Sequence, residues 1–83
     1  MPYERLRLAK KRAVGTKQVT KAVNKGIARV IYIARDAESH VTEPLYRLCR
    51  ERGIELCEVE TMKELGRACG IEVGSASAAI LEE

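Results

Sequence analysis

Residues 14–34 read VGTKQVTKAVNKGIARVIYIA, and two hydrophobic periods meet inside them. From Thr16, a plausible N-cap, to Asn24 or Lys25 the apolar residues recur at helical spacing, and Gly26 stops the run. The segment ARVIYIA at 28–34 is then nearly continuous and β-branched, as in an interior strand covered on both faces. An amphipathic helix leading into a doubly covered strand implies helices layered on a sheet.

The flanking sequence extends that pattern in both directions. Residues 2–13, PYERLRLAKKRA, predict a first helix with Pro2 at its start and Leu6 and Ala9 on one face. Downstream, Ser39 or Thr42 opens a third helix with Pro44 in its first turn. Val41, Leu45, Leu48 and Cys49 form its apolar stripe, and Gly53 ends it. IELCEV at 54–59 is a second strand. Thr61 and Glu64 then make a T-x-x-E capping box for a helix running to Gly70. A small-residue stretch, EVGSAS at 72–77, leads to a last apolar strand, AAIL. Helices alternating with short strands predict one α/β domain over residues 1–83, with a parallel or mixed sheet between helix layers.

Charge is distributed unevenly. Residues 1–29 hold nine Lys or Arg against the single acid Glu4, a net of +8, while the remainder of the chain totals −5. A solvated lysine-rich surface would carry such a run, and so would a face built for a polyanion. On a wheel of about 100° per residue, Asn24, Lys17, Lys21, Lys25 and Gln18 occupy one arc of roughly 120°. Val19, Ala22 and Val23 lie on the other side. Like charges at i, i+4 and i+8 weaken an isolated helix, and a helix start favours acids over cations. The pattern makes sense if the opposing charge comes from outside. An open helix N-terminus attracts phosphate, the lysines strengthen that field, and the Gln18 amide can both donate to and accept from a base edge. Nucleic acid fits this chemistry.

Other classes fare worse. Tyr3, Tyr32 and Tyr46 are the only aromatics, too few for a platform that stacks single-stranded bases, so a folded RNA or a duplex groove is favoured. Cys49, Cys57 and Cys69 are odd in number and form no CxxC pair, so they are expected to be buried free thiols. One histidine, His40, with no phosphate loop or paired nucleophile and base, predicts no enzyme, no metal and no cofactor. No apolar run approaches the ~18 residues of a membrane span, and nothing reads as a signal peptide, so a cytoplasmic protein is expected.

VGTKQVTKAVNKGIARVIYIARDAE, LYRLCRERGIEL and MKELGRACGIEVGSASAAI, taken in order, resemble the ribosomal L-seven-Ae family over about Val14 to Ile80. The likeness is nearest to its small bacterial members. It implies a three-layer α-β-α sandwich around a small mixed sheet of about four strands, and a protein that stabilises kink-turn RNA, a sharply bent helix with tandem sheared G·A pairs. Ribosomal RNA and a riboswitch are both compatible carriers of that motif, and the protein is expected to act as a monomer. By motif position, Gly15, Thr16, Lys17, Gln18 and Lys21 would approach the guanines and nearby backbone. Val73, Gly74, Ser75 and Ala76 would pack against the unpaired bases, and Arg35 with Asp36 would add contacts. Archaeal and eukaryotic relatives usually carry Asn-Glu where this chain has Lys17-Gln18, which replaces a charged acceptor by a weaker neutral one. The loop also reads without the family: its small side chains allow close approach, and Gly74 allows unusual dihedrals. The alternative function is an assembly module of a ribonucleoprotein, docking through the acidic remainder, whose RNA binding is not shape-specific.

Overall fold

The structure, a computed structural model, describes residues 3–83. Pro2, expected at the start of the first helix, lies outside them. Four helices alternate with four strands: α1 (Glu4–Leu8), β1 (Lys11–Val14), α2 (Thr16–Asn24), β2 (Val30–Ala34), α3 (Ser39–Arg52), β3 (Glu55–Val59), α4 (Met62–Ala68) and β4 (Ser77–Glu82). The sheet order is β1-β4-β2-β3, with β4 antiparallel to both neighbours and β2 parallel to β3.

All five residues of β2 are buried, which is why its sequence is a continuous apolar run. Val30, Tyr32 and Ala34 face one side, where Leu6 of α1 and Leu65 and Ala68 of α4 cover them together with Val59, Ala78 and Ile80. Ile31 and Ile33 face the other side, beneath Val19, Ala22 and Val23 of α2 and Leu45 and Cys49 of α3. The result is an α-β-α sandwich around a mixed four-stranded sheet. Each fully buried Val, Leu or Ile contributes about 1.5–3 kcal/mol, so the two faces of β2 anchor both layers.

Three local expectations are corrected. The helix read through residue 13 ends at Leu8, because the backbone turns extended at Ala9 and Lys11–Val14 pair with β4 as an edge strand. Lysine, arginine and alanine favour helix locally, but pairing with β4 and burial of Ala13 beneath α2 prevail. The Arg12 guanidinium then reaches the carbonyls of Leu6 (3.4 Å) and Ala68 (3.3 Å), tying α1 to α4. Helix α2 is capped by Gly15 rather than Thr16, whose hydroxyl turns toward Ser77 instead. Helix α3 opens at Ser39, so Pro44 stands in its second turn; Val41 and Leu48 are only half-buried while Thr42 is buried. Gly53 ends α3 in the left-handed conformation that its position requires. Cys49 and Cys69 are buried free thiols, and Cys57 is a half-buried one.

Candidate nucleic-acid interface

Strand direction brings the candidate residues to one end of the sheet. Val14 pairs with Ala78, Ile33 with Ser77, and Ala34 with Val59, so β1, β2 and β3 finish at the edge where β4 begins. The start of α2, the Arg35–Asp36 turn, the start of α4 and the loop before β4 therefore share that edge.

The start of α2 is open. Gly15 adopts φ 89° and ψ 152°, a region close to glycine-only, and this lets the chain leave β1 and enter the helix without a connecting loop. Its N–H donates to the Ser77 carbonyl at 2.9 Å, and its own carbonyl accepts from Val19 at 2.9 Å. Between them, the first-turn amides of Thr16, Lys17 and Gln18 receive no side-chain cap, and no acid stands in that turn. Lys17, Gln18 and Lys21 are exposed, Gly15 and Thr16 half-buried. Among the described residues no carboxylate comes within ion-pair distance of Lys17, Lys21 or Lys25.

Helix α4, at the same edge, is the opposite case. The Thr61 hydroxyl oxygen accepts the Glu64 N–H at 3.1 Å and its proton points to Glu64 Oε1, while Asp36 Oδ1 accepts the Met62 N–H at 2.8 Å. Its N-terminus is therefore filled by the protein's own acceptors. Asp36, expected among the contact residues, has one carboxylate oxygen engaged here. Neighbouring Arg35 is exposed and leans on Glu58 at 3.7 Å. Glu58 also accepts the Tyr46 hydroxyl at 2.7 Å, and burial together with that carboxylate pushes the phenol up to about 12.

The loop joins this surface through glycines. A Cβ at Gly66, inside α4, would overlap the Val73 carbonyl oxygen and sit 3.1 Å from Gly74 Cα. Gly74 has no positive φ; what it supplies is space, since a Cβ there would lie 3.2 Å from Met62 Cβ. Val73 is left 71% exposed at the tip, and Ala76 is half-buried. Ser75 differs from its neighbours. It is 5% exposed and its hydroxyl donates to the Ser77 carbonyl at 2.6 Å, so it faces the protein. Sequence reasoning missed Gly66 and Ser77. A lone glycine within a helical pattern was the available signal for the first; nothing local marks the second.

Residues 3–83 match the profile of the Ribosomal protein L7Ae/L30e/S12e/Gadd45 family. The chain belongs to that family. It is 52% identical over 69 residues to "RNA-binding protein TTE2299" of Caldanaerobacter subterraneus subsp. tengcongensis, covering 83% of this chain and 84% of that protein. It is 44% identical over 68 residues to "Large ribosomal subunit protein eL8" of Halobacterium salinarum, covering 81% of this chain but 57% of the longer relative. Among solved structures, the Giardia lamblia 15.5kD RNA binding protein superposes with a TM-score of 0.80 at 29% identity, covering 87% of this chain and 61% of that one. This family member thus shares its α-β-α architecture with a protein named for RNA binding.

Proposed function

We propose that this protein binds RNA and selects the kink-turn fold. The observation that carries the reading is the start of α2: an uncapped helix N-terminus with exposed Lys17, Gln18 and Lys21 and no acid in its first turn. Phosphate or a guanine edge can supply the acceptors that this helix start lacks. Val73 and Gly74, exposed beside it, offer a small apolar surface against which an unstacked base can lie. Family membership and the names of its relatives support the same conclusion.

In this reading the sharp bend of a kink-turn crowds phosphates, and the naked RNA divides itself between bent and extended forms. A protein that binds only the bent form draws the population toward it by its differential affinity. Lys17 and Lys21 meet the backbone at the bend, Gln18 reads the sheared G·A pairs, and the loop covers the splayed bases. Arg35, held to Glu58 by a long ion pair between exposed groups, is free to exchange that partner for a phosphate. Ribosomal RNA and riboswitches both present such folds, and the protein acts on them in the cytoplasm as a single chain.

Gel-shift titration tests the reading. A kink-turn RNA is expected to bind more tightly than a copy whose sheared pairs are converted to Watson–Crick pairs. Equal affinity for the two removes shape selection.

A further inference from the structure

We propose that Ser75 and Ser77 are positioning residues that lock the loop before β4 onto the first turn of α2, so the two halves of the RNA site stand as one preformed surface. The proposal rests on the RNA-binding reading and adds what holds that site in shape.

Ser77 is fully buried, and its carbonyl and its hydroxyl are both bonded to one half of the site or the other. Its carbonyl oxygen receives two donors, the Gly15 N–H at 2.9 Å and the Ser75 hydroxyl at 2.6 Å. Its own hydroxyl lies 3.3 Å from the Thr16 hydroxyl and shares a hydrogen bond with it, across 61 positions of sequence. One residue thus bonds both the helix start and the loop. Packing alone does not call for a hydroxyl there, since the next two positions of the strand are alanines with zero exposure. A buried hydroxyl without partners is costly, so serine belongs at this place only if its bonds are made.

The loop is tied on its far side as well. Ser75 N–H donates to the Met62 carbonyl at 3.0 Å, and Ala34 N–H donates to the Ala76 carbonyl at 3.0 Å. Met62 is in turn held by Asp36 at 2.8 Å. A loop fixed in this way loses little conformational entropy when RNA arrives, whereas a free loop of the same sequence would have to be ordered on binding. Ser75 therefore serves recognition from behind the surface, without touching the ligand.

The test compares wild type with Ser75→Ala on a kink-turn RNA and on a straight duplex of equal length, with circular dichroism to show that the variant folds. Kink-turn affinity is expected to fall about two- to tenfold, the range that one hydrogen bond supports. Duplex affinity and salt slope stay unchanged, because Lys17 and Lys21 keep their charges and exposure. Unaltered kink-turn affinity overturns the proposal, and so does a parallel loss on both RNAs. Amide exchange on the free protein gives a measure independent of RNA: the Gly15 amide exchanges faster in Ser75→Ala, and an unchanged rate overturns the lock. Should the variant not fold, wild type alone decides. A Gly15 amide protected to the level of the Ala34 amide supports the lock, and one exchanging like an open loop overturns it. If wild type binds both RNAs equally, the shape-selective reading fails, and the exchange measurement still judges the lock.

Discussion

Lys21 carries its charge on the exposed face of α2, one turn above Lys17, and it makes no ion pair among the described residues. Its expected part in RNA binding is a phosphate contact, which is blind to sequence. Lys21→Ala should weaken binding to every RNA and lower the slope of log affinity against log salt by about one unit. Gln18 has no charge and acts through its amide. Gln18→Ala should cost about 1–3 kcal/mol, mostly as lost discrimination against altered G·A pairs, measured by paired titrations on native and converted RNAs. Both side chains could be picked out from the sequence, because helical period alone assigns them to the face opposite Val19, Ala22 and Val23. Ser75 could not be. Serine is common in exposed loops, and only its distance to the Ser77 carbonyl reveals that it faces inward.

Helix α2 and the loop before β4 depend on glycines for different reasons. At Gly15 the requirement is conformational, since a Cβ there would meet nothing within 4 Å but the backbone lies at φ 89°. Gly15→Ala should therefore destabilise the fold by about 1–3 kcal/mol, read as a lower denaturant midpoint at constant m-value. At Gly66 the requirement is room for the Val73 carbonyl, and the φ is ordinary. Helix propensity by itself would make Gly66→Ala stabilising by about 1 kcal/mol. A backbone oxygen cannot yield as a flexible side chain can, so steric overlap should win and the variant should be less stable than wild type. Kink-turn affinity should fall with it, because the loop must move; a gain in stability would show that α4 and the loop are not in close contact. The edge strand β1 shows the same limit on local reading. Lys11, Arg12 and Ala13 favour helix locally, and partners on β4 between 64 and 71 positions away make the segment a strand.

Across the whole molecule, tertiary structure sorts the cations that the sequence merely concentrates in residues 1–29. Arg5 bonds Glu83 and lies 3.1 Å from Glu55, Lys11 sits 3.8 Å from Glu82, and the Arg12 guanidinium binds two carbonyls. Those three link α1, the end of β4 and α4 at the rim of the sheet, whereas the α2 lysines, like Arg7, Lys10 and Arg29, are exposed and make no ion pair among the described residues. The Arg5 guanidinium, mainly through its hydrogen bond, holds the Glu83 carboxyl below its ordinary value. The folded pKa being lower than the unfolded one, this contribution to stability is complete above the ordinary carboxylate range of about 4.3 and is lost as pH falls through the lowered value. Glu83→Gln should slightly lower stability at neutral pH and flatten the acid limb by the same small amount, as expected for an exposed pair. An acid limb identical to that of wild type would show that the pair is not formed in solution.

What the sequence determined by itself was local and periodic: an amphipathic α2, a doubly buried β2, the Thr61 cap on α4, and a lysine-and-glutamine face that carries no acid of its own. Those features need only a residue and its neighbours within a turn or a strand. What the tertiary structure alone decided was long-range: β1 as a strand, the order β1-β4-β2-β3, the carbonyl of Val73 against Gly66, and the serines joining loop to helix. Hydrogen bonds and steric contacts between distant segments exist only once the chain has folded, and no spacing within either segment announces them.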